Sequence, residues 1–320
     1  RGDNAVRLKR RVLVEALAQR GVDDLLRGFK VHVDRIVEGR SGRVELADDP
    51  QGVVEELEVL RVVGEHVGAD DHLILPQLRL PDGARAPSSM GSILHGALIE
   101  QLPEDYADYL HTENLRPYSQ SIRWDRARER VIWRIGTLDR TAGEIIGAVL
   151  QSLEHIHLRQ KGYTVDVQNI QCVEERSYQD IADEYFRAET APRGAEIHFL
   201  TPTSFKQGGA YIILPESALI LQSLLARWNR FCPDIRIEED DLAQTLAVHT
   251  RLTRYALRSA AFSVEGYTIR GFCGQIALQF AGNDMVRRIL GTLLAFAPYA
   301  GLGIKTALGM GAVETHIWKG

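Results

Sequence analysis

Cysteine is scarce in this 320-residue chain: Cys172, Cys232 and Cys273 stand far apart, with no CxxC pair and no Cys/His cluster. That pattern argues against a disulfide framework and against a structural zinc, and suits a reducing cytoplasm. Long apolar runs are missing as well. Nothing approaches a membrane span, and the opening RGDNAVRLKRRVLVEALAQRG is too charged for a secretory leader, so the expected setting is soluble and cytoplasmic. Positive charge is not in surplus either. Lys plus Arg number 38 against 43 Asp plus Glu, a formal charge of −5. This excludes a uniformly basic coat but leaves room for a local basic groove. What is present is the composition of a globular protein, with length for about two domains.

The densest local signal is AGLGIKTALGMG at 300–311, where glycines surround one lysine. A Walker A loop needs GxxxxGK[ST] between a strand and a helix. Here Ile304 precedes Lys305 where glycine is required, and the segment follows a helical pattern. The dinucleotide pattern GxGxxG fails at Thr306, and too little chain remains for a βαβ unit. Two readings stay open: a helix-to-strand connection using left-handed glycines, or a loop offering backbone N–H groups and Lys305 to phosphates.

Residues 4–28 read as a helix, 29–46 as a hairpin and 53–68 as a further helix; Asp70 and Asp71 mark a boundary. Next come a strand (72–80), a helix (88–102), a two-stranded hairpin, a helix (141–157) and a strand. The same β-α-β-β-α-β order returns after residue 191, with the stretch from Ile237 to Ala256 read as a helical insertion. The expected architecture is α+β: tandem ferredoxin-like (RRM-like) domains at 72–190 and 191–320, behind an N-terminal extension, 1–71, of unknown role.

AGLGIKTALGMGAV resembles the C-terminal glycine-rich loop of the CRISPR repeat-RNA processing endoribonucleases, in the repeat-associated mysterious protein superfamily. FLTPTSF (199–205), TIRGFCGQIALQF and LHGALIEQLPEDYADYLHTENLRPYSQS (94–121) resemble further segments of that family, and together they cover roughly residues 72–318. The resemblance implies metal-independent cleavage of CRISPR repeat RNA by its own 2′-hydroxyl, leaving a cyclic phosphate and a 5′-hydroxyl, with the product retained and no cofactor. It also implies association with CRISPR effector subunits or a homodimer. The competing expectation is a non-catalytic RNA-binding scaffold subunit that keeps the glycine-rich loop.

Such chemistry needs an acid, a base and cations for the phosphorane charge. The family commonly carries its histidine on the first helix, which points to His95. On that helix Met90, Ile93, Leu94, Ala97 and Leu98 face the core, while His95 falls on a flank with Ser88, Gly91 and Ser92 that leaves room for a ligand. His111 is either a second catalytic histidine or a turn-stabilising one, and Tyr118 either orients the reacting groups or packs. For RNA the candidates are Gly301, Gly303, Lys305, Thr306, Gly309 and Gly311 in the loop. Beyond it stand Lys206, Arg270, Arg287 and Arg288, together with Arg251, Arg254 and Arg258 at helical spacing. Trp124, Trp133 and Trp228 are open between base stacking and packing.

Overall fold

The computed structural model describes residues 30–33 and 71–320, apart from 83, 126–129, 233, 265 and 320. The helices expected at 4–28 and 53–68 lie outside the described residues. Of the expected hairpin, β1 (Lys30–Val33) is described. It pairs antiparallel with β10 (Ile235–Glu238), far along the chain.

The first large sheet holds β2 (Asp71–Arg79), β3 (Tyr118–Asp125), β4 (Arg130–Thr137), β5 (His155–Leu158) and β6 (Tyr163–Arg176). Its spatial order is β3-β4-β2-β6-β5, with antiparallel neighbours throughout. Helices α1 (Met90–Ile99), α2 (Glu104–Thr112) and α3 (Arg140–Ser152) accompany it. Leu94 and Leu98 of α1 and Ile146 and Leu150 of α3 meet Trp133 and Ile135 in one core. Asp139 starts α3 by accepting from the Ala142 amide at 2.7 Å, the standard relief of an unpaired N-terminal donor. The helix expected over 141–157 ends at Ser152. After it, His155 and His157 point to solvent while Ile156 and Leu158 are buried. That period-two alternation is worth more at a sheet edge than another helical turn.

The second sheet has the order β11-β12-β7-β13, from β7 (Gly194–Thr203), β11 (Thr250–Val264), β12 (Tyr267–Phe280) and β13 (Val313–Trp318). Helix α4 (Tyr178–Phe186) precedes them, and between them lie α5 (Ser217–Phe231), α6 (Leu242–Ala247) and α7 (Asp284–Ala300), with a small hairpin of β8 (Phe205–Gln207) and β9 (Ala210–Ile212). Second-third-first-fourth strand order is thus repeated, so both halves are ferredoxin-like. Leu224 and Trp228 of α5 and Ile289 and Leu293 of α7 pack with Ile197, Phe199 and Ile276. Tyr178 and Ile181 of α4 join this second core, behind a Ser177–Asp180 capping box. The expected helical insertion is a helix only over Leu242–Ala247, and from Thr250 the chain is a strand.

The halves touch where glycine removes side chains. A Cβ on Gly91 of α1 would lie 2.8 Å from the Leu308 carbonyl oxygen and 3.0 Å from Gly309 Cα. Gln120, 2% exposed, bridges the same seam. Its Nε2 donates to the Gly91 and Ala307 carbonyls at 3.1 and 2.7 Å, and its Oε1 accepts from the Trp133 indole at 2.6 Å. Ser119 Oγ donates to the Tyr299 carbonyl at 2.6 Å.

Gly91→Ala separates two opposing effects. Helix propensity favours alanine by up to about 1 kcal/mol, whereas the backbone contact must open, at about 1–3 kcal/mol. The expected outcome is a lower urea midpoint with an unchanged m-value; a raised midpoint would show that the seam does not constrain this position.

Candidate active site

Residues four apart on a helix lie on one face, so the contact that draws Gly91 onto the Leu308–Gly309 backbone also brings His95 to the loop of the other half. His95 is half-buried. Its Nδ1 lies 2.6 Å from Tyr118 Oη, with the two rings stacked, and its Nε2 makes no hydrogen bond among the described residues. Tyr118 opens β3 and is fully buried, and burial pushes its phenol well above the ordinary tyrosine value, so it stays protonated. Burial also lowers the His95 imidazole from its ordinary 6.5 to about 4, assisted by the charges of Arg116, His111 and Lys305. His95 is therefore a neutral imidazole near pH 7, within the field of three basic side chains.

These neighbours converge from three places. His111 sits exposed in the last turn of α2. Arg116 precedes Pro117 at the start of β3, and its Nε is buried with no hydrogen-bond partner among the described residues. Lys305 is exposed and adopts φ +57, a left-handed conformation uncommon outside glycine. The three candidates His95, His111 and Tyr118 thus share one site with Lys305. Arg116 was missed, because an arginine before Pro-Tyr carries no motif of its own.

The glycines of the loop have a different task from the one expected. The N–H groups of Gly301, Gly303, Gly309 and Gly311 donate to Ala297 O, Ser223 Oγ, Thr306 O and Pro202 O. None of these four amides is left for a ligand. Glycine is required instead by close approach: a Cβ would meet Ser204 O at 2.2 Å from Gly303 and Leu302 O at 1.9 Å from Gly311. The amides of Lys305, Thr306 and Ala307 are the ones without partners among the described residues, as expected at the start of a helical turn. Arg227, 6% exposed on α5, donates to Gly303 O at 2.8 Å and Thr306 Oγ1 at 3.2 Å. Burial lowers its pKa to about 10, and no carboxylate pairs with it among the described residues. A buried cation held by carbonyls stiffens the loop that carries Lys305, and sequence reasoning missed it too. The small-residue strip beside His95 is likewise occupied, since Gly91 receives the loop backbone.

The remaining basic candidates are dispersed. Lys206 is exposed on the β8–β9 hairpin, next to the loop through the Ile304 amide bond to Ser204 O at 3.0 Å. Arg251, Arg254 and Arg258 lie on strand β11, not on a helix. A bulge between Leu252 and Arg254 sets all three on one face, opposite Gln279, Ala277 and Cys273. Arg254 pairs with Glu196 at 3.0 Å. Arg270 alternates to the other side of the ribbon, opposite Ala261. Arg287 pairs with Asp284 on α7, and Arg288 donates to the carbonyls of Tyr185 and Ala188 at the end of α4. Among the described residues, no three His, Cys, Asp or Glu side chains are grouped to hold a metal ion, and no helix is long and apolar enough to cross a membrane.

Comparison with known proteins adds a lineage. The model of the CRISPR-associated endoribonuclease Cas6 family matches residues 197–313. The CRISPR-associated endoribonuclease Cas6 of Streptococcus thermophilus is 32% identical over 224 residues, 69% of this chain and 88% of that protein. The namesake from Mycobacterium tuberculosis (strain CDC 1551 / Oshkosh) is 33% identical over 233 residues, 72% of each chain. Among solved structures, a Cas6 product complex superposes with TM-score 0.64 at 21% identity, covering 77% of this chain and 100% of that one. Thermus thermophilus Cas6 gives 0.61 at 20%, covering 79% and 100%. These structural likenesses establish the shared fold.

Titration of the His95 ring by NMR is expected to give an apparent value near the low figure above, and Arg116→Gln is expected to move it upward, towards 6.5. An unshifted ring in the unaltered protein would contradict the burial and the convergence of charge.

Proposed function

The chain belongs to the CRISPR-associated endoribonuclease Cas6 family, and from that premise we propose that it cuts CRISPR precursor RNA within the repeats by metal-independent acid–base chemistry and retains the product. The observation that carries the proposal is the His95–Tyr118 pair, with Nε2 of His95 unengaged among the described residues and the ring within the field of Arg116 and Lys305. In this reading residues 72–190 supply the histidine and 191–320 the loop.

The step begins with the ribose 2′-hydroxyl beside the scissile phosphate. Nε2 of His95 removes its proton, and the 2′-oxygen attacks phosphorus. The bond to the 5′-oxygen breaks as that oxygen takes a proton from solvent water, leaving a 2′,3′-cyclic phosphate and a 5′-hydroxyl, and the proton held by His95 returns to solvent. A base must present a lone pair, which requires the tautomer that gives Nδ1–H to the Tyr118 oxygen. Tyr118 is thus a positioning residue. Arg116 and Lys305 face the charge that grows on the phosphorane, where fixed cations lower a barrier most effectively. The low pKa of His95 suits a base that is already deprotonated, and a bound phosphate raises it by offsetting the neighbouring cations. Lys206 and the face of Arg251, Arg254 and Arg258 are assigned to RNA phosphates further out, and that binding weakens with salt.

In EDTA, the unaltered protein is expected to cut labelled repeat RNA, and His95→Ala to bind it with cleavage slowed roughly a hundredfold or more. Tyr118→Phe loses one hydrogen bond, worth roughly tenfold in single-turnover rate, with affinity retained. Because a base acts deprotonated, the acid limb of kcat/KM falls below 6.5 and rises in Arg116→Gln. Absence of cutting in EDTA, or equal cutting by His95→Ala, would refute the mechanism.

A further inference from the structure

The indole of Trp124 is 53% exposed, unlike Trp133 and Trp228, which are buried in the two cores. It borders a groove of about 760 Å³ at the far end of the first sheet, lined on another side by residues 80–82 and 84–87 ahead of α1. That volume falls in the range of small-ligand pockets, roughly 300–1,000 Å³. Arg79, Arg85 and Arg130 line it, with Gln77 and Gln168 beside them and Asp82 as the one described carboxylate in the lining. Arg130 is engaged by Asp125 at 3.6 Å. Arg79 and Arg85 are exposed and form no ion pair among the described residues. Trp124 stands six residues beyond Tyr118 on β3, roughly 20 Å along the strand, so the groove is separate from the His95 site.

An open aromatic face, two guanidinium groups unpaired among the described residues and side-chain amides are the chemistry that holds an unpaired ribonucleotide: stacking, phosphate pairing and hydrogen bonds to a base edge. We propose that this groove is a second RNA-binding site, in which Trp124 stacks on one base of a single-stranded flank of the substrate while Arg79 and Arg85 hold adjoining phosphates. The site extends the endonuclease reading by anchoring unpaired RNA at a distance from the cut.

The test uses two probes. An eight-nucleotide oligouridylate requires no repeat sequence and reports on the groove even if the endonuclease reading fails. It is expected to quench tryptophan fluorescence in the unaltered protein and not in Trp124→Ala. A repeat RNA with single-stranded flanks is compared with the same RNA trimmed to its hairpin. Trp124→Ala is expected to bind the flanked RNA roughly tenfold more weakly, within the value of one stacked base. The trimmed RNA binds unchanged, the cleavage rate at saturating RNA is unchanged, and Trp124→Phe restores affinity to within about threefold. Arg79→Ala with Arg85→Ala weakens the flanked complex and flattens its salt dependence. The proposal is overturned if oligouridylate quenches both proteins equally, if Trp124→Ala weakens flanked and trimmed RNA alike, or if Trp124→Phe behaves as alanine. A protein that binds oligouridylate through Trp124 yet cuts no repeat RNA would sink the endonuclease reading and leave the groove standing.

Discussion

The site depends on two backbones meeting without side chains between them. Gly91 on the first helix and Gly309 in the last loop approach so closely that a single Cβ at Gly91 would touch the opposite carbonyl. Gln120 then fastens the seam by serving both carbonyls and the Trp133 indole at once. Buried polar groups of this kind stabilise only when every partner is present. Here each atom of the amide that forms a bond has one. The consequence is geometric: one helical turn beyond Gly91, His95 is delivered to the neighbourhood of Lys305.

Electrostatics follows from that delivery. A histidine on an isolated helix would titrate near its ordinary value. Against Tyr118, and among Arg116, His111 and Lys305, its charged form is disfavoured by burial first and by the cations second. The same cations that keep it neutral in the free protein are complementary to a phosphate. An anion entering the site relieves the repulsion, so binding and the readiness of His95 to take a proton are coupled through one set of charges. Arg227 adds a further cation behind the loop, spent on a carbonyl and a hydroxyl rather than on a carboxylate. The loop is therefore rigid for a reason other than glycine, whose conformational freedom would by itself loosen it.

Much of the fold was legible because its signals are local. Alternation marks the strands, helical spacing marks α1, α5 and α7, and together they spell two ferredoxin-like units. The stretch around Arg251 to Arg258 misled because a single extra residue at the bulge places arginines on one strand face that, in sequence, also match a helical spacing. The glycine-rich loop misled in a subtler way. Its glycines read as donors for phosphate, yet their amides are taken up by α7, α5, β7 and the loop itself, and the amides unpartnered among the described residues belong to Lys305, Thr306 and Ala307.

From the sequence by itself come the element order, the α+β class and a short set of chemically apt residues, including His95, Tyr118 and Lys305. These follow from periodicity and from motifs confined to neighbouring residues. Tertiary structure alone decided which of them meet. Arg116, Gln120 and Arg227 carry no local pattern, and their roles exist only because the first helix, an early strand and the last loop converge on one seam. Burial and charge proximity act through space, so the low pKa of His95 is a property of that convergence and of no segment within it.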